Sequence, residues 1–225
     1  MKFLIQTYNG KVEHDFSFSL IESIKYNNWL RQSDEITYVL SDTIGDFEGY
    51  IPSGSVEFVE NYIKKWFKKD IKPINIPLEL IDREFTGRKV YNGSEKDILK
   101  RSFVKSMDKI KHFTEITETA PIGNYQISEI INIISEYRCF VYKNELVGIQ
   151  NYSGDFKQCP DFKKIDNMIK TYKSSPKAYT LDIAILEDGN NVVIEVHDFF
   201  SVGLYGFNDL KKLVHMFSSC FYEII

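Results

Sequence analysis

At 225 residues, with 43% apolar and 27% charged side chains, the chain can bury a substantial core as one large domain or two small lobes. Its net charge of −4 argues against a mainly electrostatic grip on nucleic acid, which needs a basic face, and no apolar run approaches the roughly 18 residues that span a bilayer. Three cysteines (Cys139, Cys159 and Cys220) are odd in number and lack metal-ligand spacing, which points to reduced thiols in a cytosol.

The opening Met1-Lys-Phe-Leu-Ile-Gln is too short an apolar stretch for a signal peptide and reads as a first strand, with a second over 34–41. Between them Leu20, Ile21, Ile24, Trp29 and Leu30 fit a helical stripe. Ser53-Gly-Ser55 starts another helix with Val56, Val59, Ile63, Trp66 and Phe67 on one face, and its lysine-rich end suits the negative helix C-terminus. Residues 1–75 thus form a small α/β unit, and Pro73 and Pro77 mark the passage into a second unit over 76–225.

In that second unit Ser102–Ser106 reads as a strand followed by a lysine-bearing loop. Residues 137–142 and 146–152 form a hairpin about Lys143-Asn-Glu, and 178–187 with 190–198 form another. A helix capped by Asn208 or Asp209 closes the chain, with Leu210, Leu213, Val214, Phe217 and Phe221 buried. Ile127, Ile130, Ile131 and Ile134 have helical spacing directly before a strand, which leaves that segment open between helix and extended linker.

The last hairpin carries the most chemistry. Asp188-Gly189 between alternating apolar runs signals a two-residue turn, which sets Asp182 opposite Glu195, whereas a turn one residue later would set it opposite His197. Period-two alternation then places Thr180, Asp182, Glu195 and His197 on one face. Facing carboxylates repel across strands, and a divalent cation such as Mg²⁺ between them turns that penalty into binding energy. His197 is a candidate third ligand, or a donor that orients a ligand. A plain solvated polar face is the competing reading.

Ser135-Glu-Tyr-Arg138-Cys-Phe-Val141 resembles a strand motif of the divergent ATP-grasp clade named R2K for one arginine and two lysines. That clade includes the eukaryotic cell-division-cycle protein that assembles a translation initiation factor, and many phage and bacterial proteins. Ile51–Val59, Phe103-Val-Lys105-Ser, Lys111-His-Phe-Thr, Tyr179-Thr-Leu-Asp182 and Ile194-Glu195-Val-His197-Asp198 resemble its other segments in order, although the family's second metal strand usually ends in Asn where this chain has His197. The resemblance implies an α+β ATP-grasp fold, a smaller lobe over about 76–130 and a metal-binding lobe over 131–225 with antiparallel sheets clamping ATP, preceded in sequence by the small N-terminal unit. It further implies that Lys105 and Lys111 hold the α- and β-phosphates, that the adenine edge meets backbone around Ile127, Ser128 and Glu129, that Arg138 reaches the γ-phosphate or the acyl-phosphate formed from it, and that Asp182 and Glu195 bind Mg²⁺. Taken singly, Lys105 also fits a solvated strand-edge lysine, and Arg138 a packed cross-strand residue.

Three readings stay open on these residues: a carboxylate–amine ligase working through an acyl-phosphate, its acceptor a peptide or protein, an ATP-binding assembly module with little turnover, and a plain α+β binding protein whose hairpin carboxylates are incidental. The N-terminal unit, with Ser53-Gly-Ser55, Arg83 and Arg88, is expected to select the acceptor or complete the cleft.

Overall fold

The first apolar run does become a strand. In a computed structural model that describes residues 1–110 and 112–225, β1 (Lys2–Gln6) lies between β2 (Thr37–Ser41) and β3 (Ile51–Ser53) in a parallel sheet. Helices α1 (Asp15–Arg31) and α2 (Val56–Phe67) complete this region. On α1 the buried face runs through Leu20, Ile24 and Asn27, while Trp29 and Leu30 are exposed, contrary to the expected stripe. The face continues through a polar residue because Asn27 Nδ2 donates to Ser23 O and to Leu210 O, both at 2.9 Å. On α2 the Ser55 hydroxyl caps Phe58 N–H at 3.2 Å, and Phe58 and Tyr62 join Val59 and Ile63 in the core.

The chain divides into two compact units. One comprises Met1–Ile71, Pro176–Ala178 and Phe199–Ile225, the other Lys72–Ser175 and Tyr179–Asp198. The break after Ile71 falls close to residue 75, and Phe199–Ile225, expected in the second unit, clusters with the first. The reason is α5 (Leu210–Ile224), whose apolar face packs on α1. There Ser23 Oγ donates to Leu210 O at 2.6 Å and accepts from Val214 N–H at 3.0 Å.

The second unit includes a single helical turn, α3 (Arg83–Thr86), and two four-stranded sheets. One is antiparallel throughout: β4 (Val90–Ser94), β7 (Asn124–Ser128), β5 (Ser102–Ser106) and β6 (Thr114–Thr117), in that spatial order. The other runs β11 (Asn191–Asp198), β10 (Ala178–Leu186), β8 (Ile133–Tyr142), β9 (Glu145–Gly154), built from the two expected hairpins. Its back is covered by α4 (Phe162–Thr171), whose Ile165, Met168 and Ile169 pack against Leu181, Ile183 and Ile185. The isoleucines of the open segment resolve as strand and linker. Ile127 is buried in central β7, and Ile130 and Ile131 cross to β8 without forming a helix.

One short segment ties the two sheets together. Val196 N–H of β11 donates to Asn75 O at 2.8 Å, while Asn75 Nδ2 donates to Ser106 O of β5 at 3.0 Å. Ile76 and the Gln126 amide of β7 then exchange two hydrogen bonds at 2.9 and 2.8 Å. Asn75 adopts φ 55°, a left-handed conformation that asparagine tolerates better than most residues. Among the described residues, no helix is long and apolar enough to cross a membrane.

Candidate functional site

Asp182 and Glu195 do face each other, by a route different from the expected turn. Leu186 N–H donates to Asn190 O, enclosing a three-residue loop, Glu187–Gly189, with Gly189 at φ 79°. Near the loop Ile183 therefore pairs with Val193, one residue off the expected register, and Ile194 is the extra residue of a bulge that restores Asp182 opposite Glu195. Bulges re-aim side chains. Here Val193 and Val196 turn to the core, while Ile194 lines a cavity and Glu195 meets Lys105.

Four charged side chains gather there. On β8 and its neighbour β10, Arg138 grips Asp182 with two parallel hydrogen bonds, Nε to Oδ1 at 2.8 Å and a terminal nitrogen to Oδ2 at 2.7 Å. Lys105 reaches from β5 in the other sheet to pair with Glu195 Oε2. His197 Nε2 lies 3.0 Å from the same oxygen, and Asp182, Glu195 and His197 offer ligand atoms within 4.8 Å of one another. Burial alone would raise the Glu195 carboxyl, but the hydrogen bond and charge of His197 and the charge of Lys105 outweigh it and hold the group at about 2. Lys111 lies outside the described residues.

Beside this cluster is a cavity of about 230 Å³ whose walls are mainly aliphatic and aromatic: Phe103, Ile116, Ile130, Ile131 and Ile194 among them. Phe103 and Lys105 alternate on β5 to share the face that looks onto cavity and cluster, while Val104 between them points to the core. Ile127–Glu129, expected to meet an adenine edge, close the central strand β7 and begin the link to β8. Ile127 and Ser128 pair with β4 on one side and β5 on the other, and Glu129 N–H is taken by Lys89 O at 3.1 Å. The segment free of both ladders begins at Glu129 O and runs through Ile131.

Two further residues belong to this region. Glu136 shares the face of Arg138 two positions earlier and lines the cavity. Its carboxyl is pushed up by burial and by the Asp182 charge. Period-two spacing from Arg138 would have found it. Arg88, grouped with the N-terminal unit on sequence, belongs to the second unit. It is 4% exposed, lines the cavity and donates to Thr86 O at 2.9 Å and Val193 O at 3.1 Å, and burial lowers it to about 10. Cys139 sits on the opposite face of β8, in the core; burial pushes its thiol well up, so it is no nucleophile.

The family described as ATP-grasp domain, R2K clade family 2, matches residues 85–213. No curated protein matches the sequence. Among solved structures, a RimK domain ATP-grasp protein from Sphaerobacter thermophilus is similar with a TM-score of 0.56 at 12% identity, covering 100% of this chain and 99% of that one. D-alanine–D-alanine ligase from Bacillus anthracis gives 0.54 at 10% identity, with 99% and 97% covered. The ATP-grasp ligase PsnB, complexed with a minimal precursor, gives 0.56 at 11%, with 97% and 98% covered. At such identities the likeness is one of fold.

Proposed function

Because the chain belongs to family 2 of the R2K clade of ATP-grasp domains, we propose that it is an ATP- and Mg²⁺-dependent carboxylate–amine ligase. The observation that carries this reading is the meeting of Lys105 from one sheet with Arg138, Asp182 and Glu195 from the other, beside an apolar cavity. Adenine would lie in that cavity between Phe103 and Ile194, its edge read by the backbone of Glu129–Ile131. Lys105, Arg138 and Lys111 would hold the phosphates.

Asp182 and Glu195, facing across neighbouring strands, form an oxygen donor set that suits Mg²⁺, and the ion would neutralise phosphate charge there. His197 is better placed to donate to Glu195 and fix its orientation than to replace a carboxylate. In the reaction a substrate carboxylate oxygen attacks the γ-phosphorus, giving an acyl-phosphate and ADP. A neutral amine then attacks the acyl carbon, phosphate leaves with the bonding pair, and the amine loses a proton as the amide forms. Lys105 and Arg138 contribute by positioning and charge, which supply most of the catalysis in phosphoryl transfer.

A peptide is a reasonable substrate, since the structurally similar macrocyclase MdnC of Microcystis aeruginosa is bound with a precursor peptide and the ATP-grasp ligase PsnB is complexed with a minimal precursor. One residue favours the alternative of an ATP-binding assembly module: His197 stands where the clade's metal strand usually has asparagine. Mg-ATP at about 100 times its Kd should stabilise the protein by about 2.7 kcal/mol. ADP release with a panel of carboxylates, amines and peptides should drop at least about a hundredfold in Lys105→Ala and Glu195→Ala. Stabilisation by Mg-ATP without ADP release would favour the assembly module, and ADP release unchanged in both variants would sink the ligase reading.

A further inference from the structure

The apolar cavity of the second unit holds a charge that no described residue neutralises. Arg88 is 4% exposed, no carboxylate pairs with it among the described residues, and burial alone lowers it to about 10. The two carboxylates on the same walls are engaged elsewhere. Glu129 takes the Lys89 N–H, Arg83 and Lys100, while Glu136 responds to Asp182 and Lys105. A buried cation without a counter-charge is costly, so a ligand that answers it is favoured.

Local structure aims the side chain. Gly87, at φ 65°, ends α3 so close to β11 that a Cβ there would lie 2.7 Å from Val192 Cγ1. The turn delivers one terminal nitrogen of Arg88, Nη1, to Thr86 O at 2.9 Å and Val193 O at 3.1 Å. These bonds orient the planar group and leave its Nε–H and both Nη2 hydrogens without a protein acceptor among the described residues. They are not sealed in the core, where only Trp66 Nε1, Tyr179 OH and Thr180 Oγ1 lack partners among the described residues. They therefore open on the cavity that Arg88 lines.

The other walls limit what can meet them. Phe103, Ile116, Ile130, Ile131, Ile133 and Ile194 would leave most oxygens of a phosphate or carboxylate without partners. A flat heterocycle that turns one ring acceptor to the guanidinium suits them. On adenine the acceptors are N1, N3 and N7, and N6 is a donor. The link to β8 offers Glu129 O as an acceptor and Ile131 N–H as a donor, which answer N6–H and N1. N3 lies on the ribose side, and N7 remains.

We infer that Arg88 reads the base, donating a charge-assisted hydrogen bond to N7 of the adenine ring. The assignment rests on the nucleotide reading of this cavity. It adds a selection that the link backbone does not make, against rings of the same outline with carbon at position 7. Guanine offers an arginine both O6 and N7, but it brings O6 against Glu129 O and is rejected.

The test is titration calorimetry on the full chain with the Mg²⁺ salts of ATP, 7-deaza-ATP and GTP. The parent should bind 7-deaza-ATP and GTP at least about tenfold more weakly than ATP. Arg88→Met should lose at least about tenfold in ATP affinity and bind ATP and 7-deaza-ATP within about threefold of each other. Comparing two ligands on one protein removes any general loosening that the substitution causes. Lys105→Ala, a change on the phosphate side, should weaken both ligands and keep the preference, and this arm stands even if Arg88→Met does not fold. Four results would each overturn the inference: equal binding of ATP and 7-deaza-ATP by the parent, a preference that survives Arg88→Met, one that disappears in Lys105→Ala, or GTP bound more tightly than ATP. ATP bound without discrimination at position 7 would leave the nucleotide reading standing, whereas binding of no nucleotide would remove both.

Discussion

The two ion pairs of the candidate site look alike in composition and differ in what holds them. Arg138 and Asp182 stand on neighbouring strands of one sheet, both under 10% exposed and joined by two hydrogen bonds, so the sheet itself sets their geometry. Lys105 and Glu195 come from different sheets, and their meeting depends on how Asn75 and Gln126 tie those sheets together. A pair of the first kind also stabilises the sheet that would present both of its groups to phosphate and Mg²⁺. One of the second kind can be exchanged, with a cation taking the carboxylate and a phosphate taking the lysine.

The largest effect should therefore follow Arg138→Met, which strands the Asp182 charge in the sheet. It should cost about 3–5 kcal/mol in urea unfolding, and adding Asp182→Leu should return most of that loss. If the single change cost no more than about 1 kcal/mol, that stabilising role would fail. Lys105→Ala sharpens the contrast. Stability should fall by only about 1 kcal/mol, because His197 still answers Glu195. ADP release should drop roughly 10²–10³-fold, as when a preorganised charge-stabilising donor is removed. Next comes the tie itself. Asn75→Ala abandons Ser106 O and should cost about 1–2 kcal/mol while weakening Mg-ATP binding, measured by titration calorimetry. Unaltered nucleotide affinity would mean that the sheets hold their spacing without it.

How much of this was legible depended on the range of the interactions. Asp182, Glu195 and His197 share a face by strand period alone, so the acidic cluster could be read from one hairpin. The reading reached the right pairing through a two-residue turn, whereas the chain uses a three-residue loop and a compensating bulge at Ile194. No local signal marks that bulge. Strands β4 and β6 and helix α4 escaped notice because Val90-Tyr-Asn-Gly-Ser and Thr114-Glu-Ile-Thr are short and polar, while Phe162–Thr171 carries lysines among its three buried apolar residues. The partners of Lys105 and Arg138 lie 90 and 44 residues away in sequence, and only the resemblance to a family could anticipate that they share one site. The same distance concealed Arg88, which reaches Val193 across 105 residues.

The smallest expected effect tests the cross-sheet pair through pH. Glu195 is held at about 2, below its ordinary 4.5. A carboxyl lowered on folding contributes stability that is fully present above its unfolded value and is lost as pH falls through its folded value, so this share should disappear between about 4.5 and 2. Lys105 supplies part of the lowering, and without it the group should titrate closer to 4.5. Urea midpoints taken at pH 7, 5, 4 and 3 should therefore fall less steeply for Lys105→Ala than for the parent, by about 1 kcal/mol over the range. Parallel curves would mean that His197 alone sets the carboxylate. The pair between the sheets would then be a contact of convenience, and the contrast with Arg138–Asp182 would rest on geometry without an energetic counterpart.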